Sequence, residues 1–160
     1  MLSRSKNKLF FLLLAAILLA LLIYLISFSF SIYPYQAGMA QGKVVIKDKT
    51  IWVDLAQTPE EKNKGLGGRE NLADDEGMLF IFKEKTTPSF WMKDMNFPLD
   101  IIWLDDNIIV DISQNIQPHK NNQNLPVYRP SQAVNYVLEV NAGYVNKNNI
   151  KTGDRAEIQL

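Results

Sequence analysis

The sequence predicts a mainly β protein with short helices (α+β), built as a compact β-barrel or sandwich-like single domain behind one N-terminal transmembrane helix. Two observations favour this class. Residues 9–32 contain no charged side chain. Beyond residue 43, several short apolar or alternating runs are separated by turn-forming residues, and few positions carry a helix signal. Many short strands with little helix are typical of a small closed or two-layered β domain.

The apolar segment 9–32 is long enough to cross a bilayer, which requires about 20 mostly apolar residues. A secretory signal peptide has a shorter apolar core of roughly 7–15 residues. The segment therefore predicts an uncleaved membrane anchor. Cleavage near Gly38-Met39-Ala40 stays open as the alternative, and it would release a secreted protein.

Basic residues before the apolar segment predict its orientation. Arg4, Lys6 and Lys8 precede it, and no acidic residue does. Because positive flanks stay in the cytoplasm, residues 1–8 are expected inside the cell membrane. Residues 33–42 then form a tether, and residues 43–160 form a globular extracytoplasmic domain.

Composition excludes several classes of function. The chain has 17 basic and 17 acidic side chains without a basic block, so nucleic-acid binding has no support. It has no cysteine and a single histidine, His119, in a polar stretch. Thiolate zinc sites, a cysteine nucleophile and a lipid-modified cysteine are excluded, and we predict neither a metal site nor a cofactor. The expected partners are the membrane, through the N-terminal helix, and an unidentified small-molecule, glycan or protein ligand.

The globular part shows strand and helix signals in a clear order. Thr58 and Glu61 form a capping box around Pro59, which predicts a short helix ending at the glycines that follow residue 64. A second helical turn is expected at residues 142–147, and residues 117–131 are expected to form a long loop. The predicted strands cover residues 43–47, 50–56, 77–82, 89–95, 98–104, 108–112, 133–140 and 155–160.

Several short motifs follow one another along residues 43–160. They are Leu55-Ala56, Thr58-Pro59-Glu60-Glu61, Gly65-Leu66 with Arg69 and Leu72, Gly77-Met78-Leu79-Phe80, Phe90-Trp91-Met92-Lys93, Pro98-Leu99-Asp100-Ile101, Tyr136-Val137-Leu138-Glu139, Ala142-Gly143 and Gly153-Asp154. In this order they resemble the bacterial and archaeal family called domain of unknown function 192. The resemblance implies a shared fold and frequent export or membrane anchoring, but no established activity and no agreed catalytic residues. The chain has Gly67 where the family usually has methionine, and Asp94 where it usually has asparagine.

Two carboxylates interrupt apolar strands and are the most informative polar residues. Asp100 lies in a run that is apolar on both faces, and Glu139 interrupts a second apolar strand. A buried carboxylate is costly unless it is paired or hydrogen-bonded. Each is therefore interpreted either as a perturbed acid or binding group, or as a structural carboxylate. For Asp100 we favour the structural role and predict burial and pairing with Lys93 or Arg69.

Three further residues complete the set of candidate ligand-binding residues. Lys93 would share a strand face with Trp91. The two side chains then form either an anion-binding corner or an ordinary contact in which the lysine lies over the aromatic ring. Trp91 itself is interpreted as a core residue rather than a ligand platform. Arg69 follows a glycine-rich bend and either binds a carboxylate or phosphate, or fixes its own loop.

The function hypothesis that fits best is a non-catalytic binding module displayed on a membrane anchor. The alternative is a small extracytoplasmic hydrolase that uses Asp100 or Glu139 as acid or base. The sequence shows no nucleophile elbow and no Ser-x-x-Lys pattern. Whether the chain is an enzyme stays open, and the absence of a recognisable nucleophile favours binding; no catalytic residue is assigned.

Overall fold

The computed structural model describes residues 17–24, 38–119 and 124–160. The chain divides into two compact units, Met1–Gly38 and Met39–Leu160. In the first unit, residues 17–24 are helical. The predicted cytoplasmic segment, most of the predicted anchor, and residues 33–37 of the tether lie outside the described residues. Among the residues that are described, no helix is both long enough and apolar enough to span a membrane.

The second unit is mainly β with short helices, as predicted. Its described residues form one seven-stranded sheet in the order β5-β4-β6-β3-β2-β1-β7. Neighbouring strands are antiparallel except β2 and β3, which are parallel and joined through α1. The elements are β1 (Gln41–Ile46), β2 (Lys49–Ala56), α1 (Pro59–Lys64), β3 (Glu76–Thr86), β4 (Leu99–Asp105), β5 (Ile108–Ile116), β6 (Val134–Asn141), α2 (Tyr144–Lys147) and β7 (Ala156–Gln159).

The sheet curves into a half-barrel rather than forming the two facing sheets of a sandwich. Its two edge strands approach each other at one end, where Ile108 and Arg155 form an isolated bridge. The backbone N–H of Ala156 donates to the Asn107 carbonyl at 2.8 Å, and the N–H of Ile109 donates to the Asp154 carbonyl at 3.0 Å. These bonds satisfy edge groups that would otherwise be unpaired.

Each face of the sheet is covered by its own apolar cluster. On β4, Ile102 and Leu104 enter the first core, which also contains Val140 and Val145. Alternate residues of β4 enter the second core, with Phe80, Phe90, Leu99, Ile101 and Trp103 among its members. The predicted apolar character of both faces of this strand is thus explained, because β4 is a central strand covered on both sides.

The predicted strand at residues 89–95 is wrong. Only Phe90 pairs, in an isolated bridge with Tyr128, and the chain turns at Lys93 and Asp94. Asp94 has a φ of 56°, which ends extended geometry. Burial nevertheless alternates along part of this segment, since Phe90 and Met92 are buried whereas Trp91 and Lys93 are exposed. A loop that lies flat on the second core produces the same period of two as a strand.

The predicted capping box is confirmed at the start of α1. The Glu61 backbone N–H donates to the Thr58 hydroxyl at 3.2 Å, and the Thr58 N–H donates to the Glu61 carboxylate at 2.8 Å. These two bonds satisfy backbone groups that a helix start leaves open. The helix α2 begins two residues later than predicted, at Tyr144, and it is preceded by Gly143, which has a φ of 85°.

Replacing Thr58 with alanine is expected to lower the free energy of unfolding by about 1 kcal/mol, the usual effect of losing an N-cap side chain. Urea denaturation of the full chain measures this. Thr87→Ala, at an exposed loop position, is the matched control and should leave the midpoint unchanged. An equal loss in both variants would show that the cap does not stabilise α1.

Candidate ligand-binding pocket

Two loops close over the second core and create a pocket. The Gly68 backbone N–H donates to the Asp94 carbonyl at 2.9 Å, and the Asn96 side-chain amide donates to the Arg69 carbonyl at 2.8 Å. A Cβ at Gly67 would lie 3.3 Å from the Lys93 carbonyl oxygen, so glycine allows this close approach. The loop after α1 and the loop before β4 are therefore held together at fixed spacing.

The cavity beside these loops has a volume of about 220 Å³. Its walls come from the end of α1, from β3, from β6 and from the loop before β4. The side chains that line it include Lys62, Lys64, Leu66, Phe80, Phe82, Phe90, Trp91, Lys93, Met95 and Glu139.

The inner wall is aromatic and firmly packed. Phe80 and Phe90 meet edge to face with ring centroids 4.8 Å apart. Phe90 in turn packs edge to face against Trp103 at 5.3 Å. Such pairs add about 0.5–1.5 kcal/mol beyond the area they bury. The wall is thus a preformed surface, because its rings are fixed by the second core.

Glu139 is the buried polar group of this pocket. It lies on β6, is 5% exposed, and stands opposite Met78 on one neighbouring strand and Ile101 on the other. Both neighbours are buried. Within residues 38–119 and 124–160, no side chain or backbone group forms a hydrogen bond or ion pair with its carboxylate. Burial alone raises the pKa of Glu139 to about 8.

The mouth of the pocket carries positive charge and an exposed aromatic ring. Trp91 is 42% exposed, and Lys64 and Lys93 are exposed beside it. The Lys62 ammonium lies 4.6 Å from the centre of the Phe82 ring, a cation–π contact. Burial lowers the pKa of Lys62, Lys83 nearby lowers it further, and Glu61 opposes both.

The structure brings together three of the five residues predicted as ligand-binding candidates. Trp91, Lys93 and Glu139 line the same pocket. The interpretation of Trp91 as a core residue is wrong, because its ring is substantially exposed. Arg69 lies elsewhere and forms an ion pair with Asp54 on β2, beside a second, more polar cavity of about 320 Å³.

Asp100 is buried as predicted, but its predicted pairing with Lys93 or Arg69 is wrong. Its Oδ1 accepts a hydrogen bond from the Asn115 backbone N–H at 2.8 Å, and its Oδ2 accepts one from the Val145 N–H at 3.0 Å. Backbone donors satisfy the carboxylate, so it needs no basic side chain. Asp100 joins β4, the irregular end of β5 and the first turn of α2, which is the structural role that we favoured.

Sequence reasoning did not select Lys62, Lys64 or Phe82 as site residues. Lysines in the last turn of a helix are common because they complement the helix dipole, so the pattern carried no signal of a pocket. In the described part of the chain no group of three His, Asp or Glu side chains is arranged to hold a metal ion.

A sequence profile of the DUF192 family, described as "Uncharacterized ACR", matches residues 42–158. The chain belongs to the DUF192 family. The resemblance seen in its motifs is thereby confirmed. The profile covers all seven strands of the half-barrel and leaves out only Gln41 and Gln159 at their two ends.

Solved structures share this DUF192 fold. A protein from Sinorhizobium meliloti 1021, described as a proposed transcription regulator, is 33% identical with a TM-score of 0.69; the match covers 76% of this chain and 95% of that one. A protein of unknown function from Novosphingobium aromaticivorans DSM 12444 is 29% identical with a TM-score of 0.67, covering 78% and 89%. No curated protein is significantly similar to the chain.

Proposed function

We propose that the DUF192 domain of this chain is a non-catalytic module that binds a small molecule in the Glu139 pocket. The observation that carries the proposal is a buried carboxylate that faces a cavity and has no partner among the described residues. Burying a carboxylate without a partner costs free energy, and no contact within the described residues offsets that cost. A bound ligand that pairs with the carboxylate would offset this cost, which explains why a binding site would keep an acidic residue at this position.

The rest of the pocket agrees with binding. Ligand sites are usually concave and mostly apolar, with a few polar groups that orient the ligand. Here Phe80, Phe90 and Trp91 supply aromatic surface, while Glu139 and Lys93 supply charge. The cavity of about 220 Å³ is smaller than the roughly 300–1,000 Å³ of sites for drug-sized ligands, so the occupant is a small molecule.

The second candidate function is a hydrolase that uses Glu139 as a general acid. A pKa of about 8 keeps this carboxylic acid protonated near neutral pH, as a general acid requires. Asp100 is not a candidate for this role, because it is fully buried and both of its oxygens accept hydrogen bonds from backbone N–H groups. Among the described residues that line the pocket, Glu139 is the only carboxylate, whereas such hydrolysis commonly uses two tuned groups. Binding is therefore favoured.

Tryptophan fluorescence of the full chain tests binding against catalysis. Small aromatic acids, amines and neutral compounds are titrated, and the same compounds as esters, amides and glycosides are assayed for turnover. We expect a saturable fluorescence change in the wild type that disappears in Trp91→Phe. Trp52→Phe, at an exposed position outside the pocket, is the matched control and should keep the response. Turnover that is lost in Glu139→Gln with the fold intact would instead support the hydrolase.

For location, we propose that residues 9–32 anchor the chain and place the DUF192 domain outside the cell membrane. The support is the uncharged apolar segment and the basic residues Arg4, Lys6 and Lys8 before it. A regulator role like that described for the S. meliloti protein is not proposed, because the chain has no basic block for nucleic acid.

Protease added to intact spheroplasts is expected to degrade residues 43–160 while a cytoplasmic marker stays intact. Immunoblotting against the C-terminus measures the loss. Reversing the charge at Arg4, Lys6 and Lys8 to glutamate should reduce the exposed fraction, since it removes the orientation signal. Full protection of the wild-type domain would contradict this location, and recovery in the medium would indicate cleavage.

A further inference from the structure

The inner end of the Glu139 pocket is complementary to a positively charged group. Glu139 has apolar neighbours on both adjacent strands, Met78 and Ile101, and none of the described residues forms an ion pair or hydrogen bond with its carboxylate. In a low-dielectric site, a cation beside a carboxylate gains far more than it would in water. A primary amine offers both the charge and several N–H donors to the two carboxylate oxygens.

The mouth of the same pocket is complementary to a negatively charged group. Lys62, Lys64 and Lys93 line it, and in the part of the chain that the structure describes Glu139 is the only acidic residue of the lining. An amine without an anionic group would enter past three positive charges that it could not compensate. An acid without an amine would satisfy the lysines but leave the Glu139 carboxylate without a partner.

We propose that the pocket takes a small bipolar ligand, with an amine against Glu139, an aromatic or apolar body against Phe80 and Trp91, and an anionic group at the lysine-lined mouth. This inference rests on the proposed binding function and specifies its ligand class. The ligand's opposite ends meet opposite charges, and its body meets the preformed aromatic wall.

Binding of such a ligand moves a proton. At neutral pH the free protein holds a proton on Glu139, because burial raises the pKa of that carboxyl to about 8. The incoming ammonium stabilises the ionised carboxylate, so the proton leaves Glu139 for solvent as the ion pair forms. No bond in the ligand breaks. Affinity should therefore rise with pH up to about 8 and then level off.

Three probes with the same aromatic ring separate the two charges. They are 4-(aminomethyl)benzoate, 4-methylbenzylamine and 4-methylbenzoate. Calorimetry of the full chain near neutral pH, in two buffers of different ionisation enthalpy, gives affinity and proton release together. We expect the bipolar probe to bind at least about tenfold more tightly than either single-charge probe, a difference of about 1.4 kcal/mol. We also expect release of close to one proton for each molecule bound.

Substitutions test which protein side chain binds the amine of the probe and which binds its carboxylate. Glu139→Gln should abolish the proton release and make 4-(aminomethyl)benzoate bind no better than 4-methylbenzoate. Lys93→Gln should weaken the two carboxylate-bearing probes and leave 4-methylbenzylamine unaffected or improved. Lys151→Gln, an exposed lysine outside the pocket, is the matched control and should change nothing.

Equal binding of a single-charge probe and the bipolar probe would overturn the bipolar assignment while leaving the pocket a binding site. Binding of the bipolar probe without proton release would also overturn it, because the amine would then not meet a protonated Glu139. If none of the three probes binds, the ligand class is wrong. The proposed function itself fails only if the wider fluorescence test also finds no compound that responds through Trp91.

Discussion

Asp100→Ala is expected to lower the free energy of unfolding of the chain by about 4 kcal/mol. The substitution leaves the backbone N–H groups of Asn115 and Val145 without an acceptor inside the protein. The buried Val145 donor costs about 1–3 kcal/mol when unsatisfied, the partly buried Asn115 donor costs less, and the removed side-chain atoms leave a small cavity in addition. The effect is large because one carboxylate satisfies donors from two separate segments, β5 and α2.

Urea denaturation of the full chain, followed by far-ultraviolet circular dichroism, measures this loss. Asp100→Asn keeps one side-chain oxygen as an acceptor, so it should lose less than the alanine variant. Asp48→Ala removes an exposed aspartate in the turn between β1 and β2 and serves as the control. An Asp100→Ala midpoint close to that of the control would mean that these two backbone bonds contribute little to stability.

Stability is expected to fall as pH rises from about 4.5 to about 8, and Glu139 is the cause. Its pKa is 4.5 in an exposed state and about 8 in the folded protein, so the folded state binds the proton more tightly. Between these values the unfolded chain has lost the proton and the folded chain keeps it, which makes stability decrease with pH. At 1.36 kcal/mol for each pKa unit, the loss amounts to at most about 5 kcal/mol and is complete above about pH 8.

Glu139→Gln removes this pH dependence because glutamine fills the same space and does not titrate. Urea midpoints measured across this pH interval should slope downward in the wild type and run nearly flat in the variant. Above pH 8 the variant should be the more stable protein. Acidic groups whose pKa values are lowered by their partners, such as Asp154, act below this interval and do not obscure the result. Parallel profiles for the two proteins would show that Glu139 is paired or well hydrated.

The strands were predictable where alternating or continuous apolar runs reflect a paired sheet. β4 is the clearest case, because its two apolar faces correspond to two separate cores. The same reasoning failed at residues 89–95, where a loop packed against the core alternates in burial without strand pairing. Periodicity reports which side chains face the core, and it does not report backbone hydrogen bonds.

The surroundings of the two buried carboxylates could not be predicted from the sequence, for a physical reason. Asp100 is satisfied by backbone N–H groups, which every residue except proline has, so no side-chain pattern identifies them. Glu139 was selected because it interrupts an apolar strand. Its position in a pocket depends on how the loop after α1 meets the loop before β4, and that contact rests on backbone bonds such as Gly68 to Asp94.

The central claim, that the Glu139 pocket is the ligand site of this domain, is tested most directly by mapping a bound probe. Backbone amide chemical shifts of the full chain are recorded by nuclear magnetic resonance while 4-(aminomethyl)benzoate is added. We expect the largest shifts at Gly65, Phe80, Trp91, Lys93 and Glu139, which line the pocket. Shifts confined to the second cavity beside Trp52 and Arg69, or spread evenly over the surface, would contradict the claim.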